Sequence, residues 1–286
     1  MDHAVTFSID WLHINEPHTP ATKLHRTTYP TMGEMRMVPT TPTFGYAVGW
    51  QNPYGARIMS NDNRQDMGVF VGYSSSTIRT YAEKINVLGI DILRWHIHQH
   101  HSVSRIDLAL DLYNTGAKLT ELYELLDTGK YSGTAKTFTH ITSANGGETV
   151  YIGSRSSDVF IRVYNKAAEQ RVSEDWLRIE LEIKGKVATP IARQLCNSAA
   201  DNQLYTVAKS LLFRSAQCEH KLWHILDKIG TVELATADKK EKDTTKWLLE
   251  TVALSMAKQC QAAGNFDLLN AFTDKVVALS GVGVVD

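Results

Sequence analysis

Acidic side chains recur on one face of each of two segments that have the pattern of β-strands. In residues 105–111 (RIDLALD) Ile106, Leu108 and Leu110 share one face, and Arg105, Asp107 and Asp111 share the other. In residues 177–184 (LRIELEIK) the odd positions are all apolar and the even positions are all charged. Each segment therefore predicts a strand with a core face and a polar face. The acids on these polar faces are Asp107, Asp111, Glu180 and Glu182.

These acids predict a divalent metal site, because carboxylate oxygens are the ligands that Mg²⁺ and Mn²⁺ prefer. Asp107 and Asp111 are four residues apart, or ~13–14 Å along a strand, so they cannot bind the same ion. Neighbouring strands are only ~4.8 Å apart, so Asp107 is expected to share an ion with Glu180 and Glu182. The alternative is that the acids form ion pairs with the arginines and lysines of the same faces.

A third segment, residues 159–166 (VFIRVYNK), carries a tyrosine between two cations. Tyr164 is the candidate nucleophile, and Arg162 and Lys166 are each ~6.8 Å away along the same face of the predicted strand. A nearby cation favours the phenolate over the phenol, whose reference pKa is ~10, and it also stabilises charge on a phosphate under attack. The alternative is that Tyr164 only packs against its neighbours.

Residues 95–101 (WHIHQHH) contain four histidines and admit two interpretations. As a strand, the segment places His96, His98 and His100 on one face, which is the metal-binding pattern of a large class of single-strand endonucleases. As a helix, it packs its apolar residues and leaves the histidines at the C-terminal end, where a cation suits the helix dipole. We favour the helix, and metal binding by His96 and His98 stays open.

Composition narrows the class of protein. With 286 residues, 43% of them hydrophobic and 21% charged, the chain is expected to be globular. The formal net charge is -1, so a nucleic-acid site has to be local, and basic residues concentrate between residues 155 and 193. The sequence contains no P-loop, dinucleotide-binding or α/β-hydrolase motif. Three widely spaced cysteines, no secretory pattern at the N-terminus and no long apolar run predict a cytoplasmic protein without a membrane partner.

The order of elements predicts an α+β fold. Five of the seven prolines fall within residues 17–42, which predicts loops and edge strands there. After about residue 188 the apolar spacing is that of amphipathic helices, and residues 237–243 (ADKKEKD) predict a solvated linker. We expect a central antiparallel sheet with helices packed on one face. We divide the chain into a catalytic part, residues 1–190, and a mostly helical part of uncertain role, residues 191–286.

Four blocks follow one another in a recognisable order: Asp10-Trp11-Leu12, residues 105–111, residues 149–169 (TVYIGSRSSDVFIRVYNKAAE) and residues 176–181 (WLRIEL). Together these blocks resemble the Rep_trans family of rolling-circle replication initiators, and the third block is the most specific. The resemblance implies an HUH-endonuclease-like fold and a sequence-specific DNA nickase and strand transferase.

The resemblance also implies roles for individual residues. Tyr164 would attack a phosphodiester, become joined to the DNA 5′-phosphate and free a 3′-hydroxyl primer, with Tyr151 as the alternative nucleophile. Mg²⁺ or Mn²⁺ would be held by acidic residues, here Asp107, Glu180 and Glu182. The phosphate would be stabilised by Arg162, Lys166 and Arg155, and Arg178 is a further candidate for DNA contact.

The partners expected from the resemblance are origin DNA with its nick site in a hairpin, a second copy of the chain in a homodimer, and a host helicase. The alternative function is a sequence-specific DNA-binding regulator that has the same scaffold but does not cleave DNA.

Overall fold

A computed structural model describes residues 4–20, 37–144, 146–197, 203–227, 233–236, 252–264 and 266–280. The contacts divide the chain into two compact units, residues 1–237 and 238–286. The predicted linker at residues 237–243 lies outside the described residues. Among the described helices, none is both long and apolar enough to cross a bilayer.

The described part of the first unit is built on a ten-stranded sheet in which all pairs are antiparallel. The strands are β1 Ala4–Glu16, β2 Val38–Pro39, β3 Val48–Gln51, β4 Arg57–Ser60, β5 Val69–Tyr73, β6 Ser102–Tyr113, β7 Tyr131–Ser132, β8 Phe138–Thr142, β9 Glu148–Ile152, β10 Val159–Asn165, β11 Trp176–Lys184 and β12 Gln217–Cys218. Their order in the sheet is β2-β3-β4-β5-β1-β6-β11-β10-β9-β8, and β7 and β12 form a separate pair. The three segments that carry the predicted site residues are therefore the adjacent strands β6, β11 and β10.

The helices are α1 Ser75–Lys84, α2 Gly89–His98, α3 Leu119–Asp127, α4 Lys166–Gln170, α5 Ala188–Cys196, α6 Gln203–Ser215, α7 Lys221–Leu226, α8 Ala253–Ala263 and α9 Asp267–Ser280. The helical interpretation of the histidine segment is confirmed, because His96 and His98 lie in α2. The strand alternative, with His96, His98 and His100 on one face, is wrong.

One face of the sheet carries the hydrophobic core. In β6 and β11 the apolar side chains, such as Leu108 and Leu181, are fully buried, and they pack in one cluster with apolar residues of α1, α2, α3, α5, α6 and α7. This burial follows from the period-2 pattern, since a strand with alternate apolar residues can place them all against one layer of helices. The α+β fold with helices on one side of an antiparallel sheet is confirmed. We call the opposite side the polar face.

Helices α5, α6 and α7 complete the core of the first unit, through residues such as Ile191, Leu211 and Trp223. The described part of the second unit consists of α8 and α9. The boundary after residue 190 separates the proposed catalytic part from the part of uncertain role, and it stays a prediction.

A proline and a β-bulge have specific places in the sheet. Pro39 lies in β2, which is an edge strand, as expected for a residue without a backbone donor. Strand β1 changes register between Ile9 and Trp11 where it pairs with β6. Asp10 is the extra residue at this bulge, and bulges commonly re-aim a side chain.

Candidate active site on the polar face

The register of the central strands brings the predicted metal ligands and the predicted phosphate ligand together. Arg162 of β10 lies opposite Glu180 of β11, and Glu182 of β11 lies opposite Asp107 of β6. All four side chains are on the polar face, because they alternate with the buried apolar residues. The sheet therefore gathers these side chains from three adjacent strands.

Arg162 connects two of the acids. Its Nη2 pairs with Glu180 Oε1 and lies 3.7 Å from Asp107 Oδ2. Its Nε is buried without a hydrogen-bond partner. One guanidinium thus stands between two carboxylates, in a position where a cation is favoured, and retains a donor for a further acceptor.

Arg105 connects Asp107 to the third acid. Its Nε and Nη2 donate to the two oxygens of Asp107 at 2.8 and 2.6 Å, and Nη2 lies 3.0 Å from Glu182 Oε2. Lys184 donates to the other oxygen of Glu182 at 2.5 Å. Asp107, Glu180 and Glu182 therefore form one network with Asp107 at its centre, and cations of the protein contact each of the three.

Tyr164 lies at the edge of this network. Its hydroxyl donates to Glu180 Oε2 at 3.3 Å, and Lys166 Nζ lies 5.6 Å from the centre of its ring. Burial raises the pKa of Tyr164 above its ordinary value, and the charge of Glu180 raises it further. The expectation that nearby cations favour the phenolate is wrong, because burial and the Glu180 carboxylate outweigh them.

Glu180 has the unusual pKa of a buried carboxyl group. Burial raises its pKa from 4.5 to about 7, against the effect of the Arg162 charge, and the negative charges of Asp10 and Asp107 raise it as well. Burial also raises the pKa of Asp107. A carboxyl group with a pKa near 7 can take up and release a proton at neutral pH.

Tyr151 occupies a different position from Tyr164. It lies on β9 opposite Arg162 and stacks on Phe160, with ring centroids 5.5 Å apart and ring planes 13° from parallel. Arg155 lies 5.8 Å above the Tyr151 ring and 5.7 Å above the Phe160 ring. Stacked aromatic rings beneath an arginine form a platform of the kind on which nucleobases stack.

An open cleft of about 510 Å³ lies above the polar face, and both Tyr151 and Tyr164 line it. Asp10 and Trp11 line the same cleft. Sequence reasoning used these two residues only as part of a short motif, because nothing in the sequence predicts the β-bulge that turns Asp10 towards the site.

The basic residues predicted to contact DNA differ in exposure. Arg155 is exposed in the loop before β10. Lys166 is buried at the start of α4 and pairs with Glu169. Arg178 is 8% exposed, donates twice to Asp111 at 2.8 Å and reaches Asp10 at 3.1 Å. A phosphate contact by Arg178 would require it to exchange one of these partners.

A different set of side chains has the closest grouping of potential metal donors. Among the described residues, Glu16, His96 and His101 are the group whose donor atoms all lie within 4.8 Å of one another. This group lies among the helices on the core side of the sheet and is separate from the cleft.

Comparisons with known proteins are consistent with this architecture. A family model described as Rep_trans, replication initiation factor, matches residues 101–271, which is more than half of the chain. A solved structure described as the rolling circle replication initiator protein from Geobacillus stearothermophilus shares 17% sequence identity, with a TM-score of 0.62. That match covers 82% of this chain and 100% of the other, and it shows a shared fold. The comparison with curated proteins gave no match.

Proposed function

Because the chain belongs to the Rep_trans family of replication initiation factors, we propose that it initiates rolling-circle replication as a site-specific, metal-dependent DNA nickase. In this proposal Tyr164 cuts one strand at the origin and stays joined to the 5′-phosphate. The observation that carries the proposal is the 3.3 Å hydrogen bond from the Tyr164 hydroxyl to Glu180, on the wall of an open cleft.

The proton of Tyr164 has a defined acceptor. Since burial disfavours a free phenolate, the proton leaves as the phenol attacks, and the Glu180 carboxylate receives it. The bond from Tyr164 Oη to phosphorus forms while the bond from phosphorus to the 3′ oxygen breaks. The leaving 3′ oxygen takes a proton from water and becomes the primer hydroxyl. A phosphotyrosine ester keeps the phosphoester bond for later rejoining.

The acids of the polar face fit a hard divalent cation. Asp107, Glu180 and Glu182 supply oxygen donors, and the cationic Nη2 atoms of Arg105 and Arg162 each lie between two of these carboxylates. Mg²⁺ or Mn²⁺ held by Asp107, Glu182 and one oxygen of Glu180 would polarise the scissile phosphate as a Lewis acid, and the other Glu180 oxygen would remain the acceptor of the Tyr164 proton. The arginines would then be free to turn towards the DNA.

The cations around Tyr164 complete the proposed phosphate site. Arg162 has a buried Nε without a hydrogen-bond partner, and Lys166 lies over the tyrosine ring. Preorganised donors of this kind stabilise the charge that develops on phosphorus-bound oxygens. Arg155 is placed to hold the strand beside the Tyr151 platform, and Arg178 holds Asp10 at the edge of the cleft.

The proposal assigns strand transfer to residues 1–190, which contain every site residue named above. The substrate is origin DNA with the nick site exposed in a hairpin. We further propose that the initiator acts as a homodimer and recruits a host helicase, with residues 191–286 available for these contacts.

The experiment compares Tyr164→Phe with Tyr151→Phe on labelled single-stranded oligonucleotides that tile the gene and its flanking DNA, with Mn²⁺. A denaturing gel then reports the covalent protein–DNA species. We expect the wild-type protein and Tyr151→Phe to form it and Tyr164→Phe to lose it. Full adduct formation by Tyr164→Phe would remove Tyr164 from the role of nucleophile.

The alternative function, a DNA-binding regulator without cleavage, is separated in the same experiment. It predicts that the protein shifts the mobility of an origin oligonucleotide on a native gel without divalent metal. It also predicts that no covalent species forms on the denaturing gel. The hydrogen bond between Tyr164 and Glu180 favours the nickase, because a binding module needs no proton acceptor beside a tyrosine.

A further inference from the structure

The end of helix α2 turns so that two histidines face each other. The His101 N–H donates to the carbonyl of His96 at 3.1 Å, and the His100 N–H donates to the carbonyl of Ile97 at 3.0 Å. His100 has the left-handed backbone conformation, with φ of 59°. These bonds and this conformation define a Schellman motif, in which the first and last residues normally make an apolar contact. Here both positions are histidine, and their Nδ1 atoms are 3.0 Å apart.

A carboxylate completes the group from another element. Glu16 is the last residue of β1, and its Oε1 lies 3.7 Å from His96 Nδ1 and 3.5 Å from His101 Nδ1. The three donor atoms therefore form a small triangle with edges of 3.0, 3.5 and 3.7 Å. The triangle joins Glu16 to two histidines that are 80 and 85 positions further along the sequence.

The size of this triangle matches one face of a zinc coordination tetrahedron. Zinc binds histidine nitrogen at ~2.0–2.1 Å and carboxylate oxygen at ~2.0–2.2 Å, so tetrahedral ligands are ~3.3–3.5 Å from one another. The observed edges lie on both sides of this value. An ion at the centre needs only small movements of the side chains.

The surroundings of His96 orient its ring for such a site. His96 is fully buried, and its Nε2 lies 3.3 Å from the hydroxyl of the buried Tyr73. A metal-binding histidine commonly uses its second ring nitrogen for a hydrogen bond of this kind, which fixes the ring with the other nitrogen towards the ion. Burial lowers the pKa of both His96 and His101, which favours the neutral imidazole, the form that binds a metal ion.

We propose that Glu16, His96 and His101 bind one zinc ion, which fastens the end of β1 to α2 and to the turn that enters β6. The fourth position is open to water, since Glu16 and His101 are partly exposed. On binding, the ion takes the place of the proton between the two Nδ1 atoms, and the ring that carried this proton is protonated at Nε2 instead, so both imidazoles stay neutral. The site differs from the acidic cleft, because two imidazoles with one carboxylate suit zinc, whereas carboxylates alone suit magnesium.

The test measures zinc binding to the full-length protein after removal of bound metal with a chelator. Isothermal titration with Zn²⁺ gives stoichiometry and affinity, and Co²⁺ reports a four-coordinate site by its visible ligand-field bands. The variants are Glu16→Gln and His101→Ala, which alter partly exposed side chains and leave the buried His96 in place. The matched control is His98→Ala, since His98 is exposed in the last turn of α2 and outside the group.

We expect one equivalent of zinc to bind to the wild-type protein and to His98→Ala, with a rise in melting temperature. Changes in the second shell already cost 10–100-fold in metal affinity, so loss of a ligand should lower the affinity at least ~100-fold in Glu16→Gln and His101→Ala. Circular dichroism of each metal-free variant checks that it is folded.

Two outcomes would overturn the proposal. One is the absence of saturable zinc binding by the wild-type protein, and the other is equal affinity in His101→Ala and the wild type. Neither outcome bears on the nickase, because adduct formation with Mn²⁺ is measured separately and depends on the opposite face of the sheet. Conversely, an inactive nickase that still binds zinc would support the site and contradict only the proposed function.

Discussion

The hydroxyl of Tyr164 and the carboxylate of Glu180 form a hydrogen bond of 3.3 Å between adjacent strands, on the half-buried wall of a cleft. Burial raises the pKa of both groups, so the tyrosine holds its proton while the glutamate can accept one near neutral pH. Arg162 holds the other oxygen of Glu180. In the proposed reaction this pair would transfer the proton during attack, and Arg162 sets the orientation of the Glu180 carboxylate.

Stability should depend on pH through Glu180. Its folded-state pKa is about 7 and its ordinary value is 4.5, so the folded state binds the proton more tightly. The resulting stabilisation is complete below pH 4.5 and is lost as the pH rises to 7, by up to ~3 kcal/mol. Glutamine does not titrate, so Glu180→Gln does not lose this stabilisation as the pH rises. The unfolding free energy of Glu180→Gln minus that of wild type should therefore increase between pH 4.5 and pH 7. Urea denaturation of both proteins at pH 4.5 and pH 7 measures these unfolding free energies. The same change of unfolding free energy with pH in both proteins would contradict the prediction.

The rate of nicking should respond to the charge of Asp10. This charge raises the pKa of Glu180, so Asp10→Asn should lower that pKa. If Glu180 is the proton acceptor, the acidic limb of the pH–rate profile then moves to lower pH. Ser75→Ala is the matched control, because it removes the 2.9 Å hydrogen bond to Asp10 but leaves the charge in place. A profile that is unchanged in Asp10→Asn would argue against Glu180 as the acceptor.

Loss of Arg178 should destabilise the fold. Arg178 donates twice to Asp111 and once to Asp10, and its side chain is 10% exposed. Arg178→Gln leaves buried carboxylates without their cation, which costs roughly 3–5 kcal/mol. Lys186→Gln removes an equal charge from an exposed position and should change stability by less than about 0.5 kcal/mol. Urea denaturation of both variants checks the prediction, and similar small losses would show that Arg178 is dispensable for folding.

Loss of Arg155 should weaken DNA binding without affecting folding. Its exposed guanidinium lies above the rings of Tyr151 and Phe160, so Arg155→Ala removes one cation beside a ring that lines the cleft. The slope of log affinity against log salt should decrease by about 1, with a similar loss for every DNA sequence. Arg193→Ala, at an exposed position on α5, is the control and should keep the wild-type slope. Equal slopes for all three proteins would place the DNA elsewhere.

Local pattern alone determined which side chains share a face. The period of two in β6, β10 and β11 places Asp107, Glu180, Glu182, Arg162 and Tyr164 on the polar face, because a strand turns alternate side chains to opposite sides. The apolar residues Ile92, Leu93, Trp95 and Ile97 were likewise sufficient to favour the helix for the histidine segment. These features depend only on residues close together in the chain, and the sequence holds that information completely.

The tertiary structure decided the features that join distant residues. The bulge in β1 depends on its pairing with β6, and it brings Asp10 to Arg178 across 168 positions. The pKa of Tyr164 rises because the folded chain buries the side chain beside the Glu180 carboxylate, an effect that a count of nearby cations could not include. Glu16 meets His96 only because β1 and α2 pack together. Burial and long-range pairing are properties of the folded chain, since each depends on many residues at once.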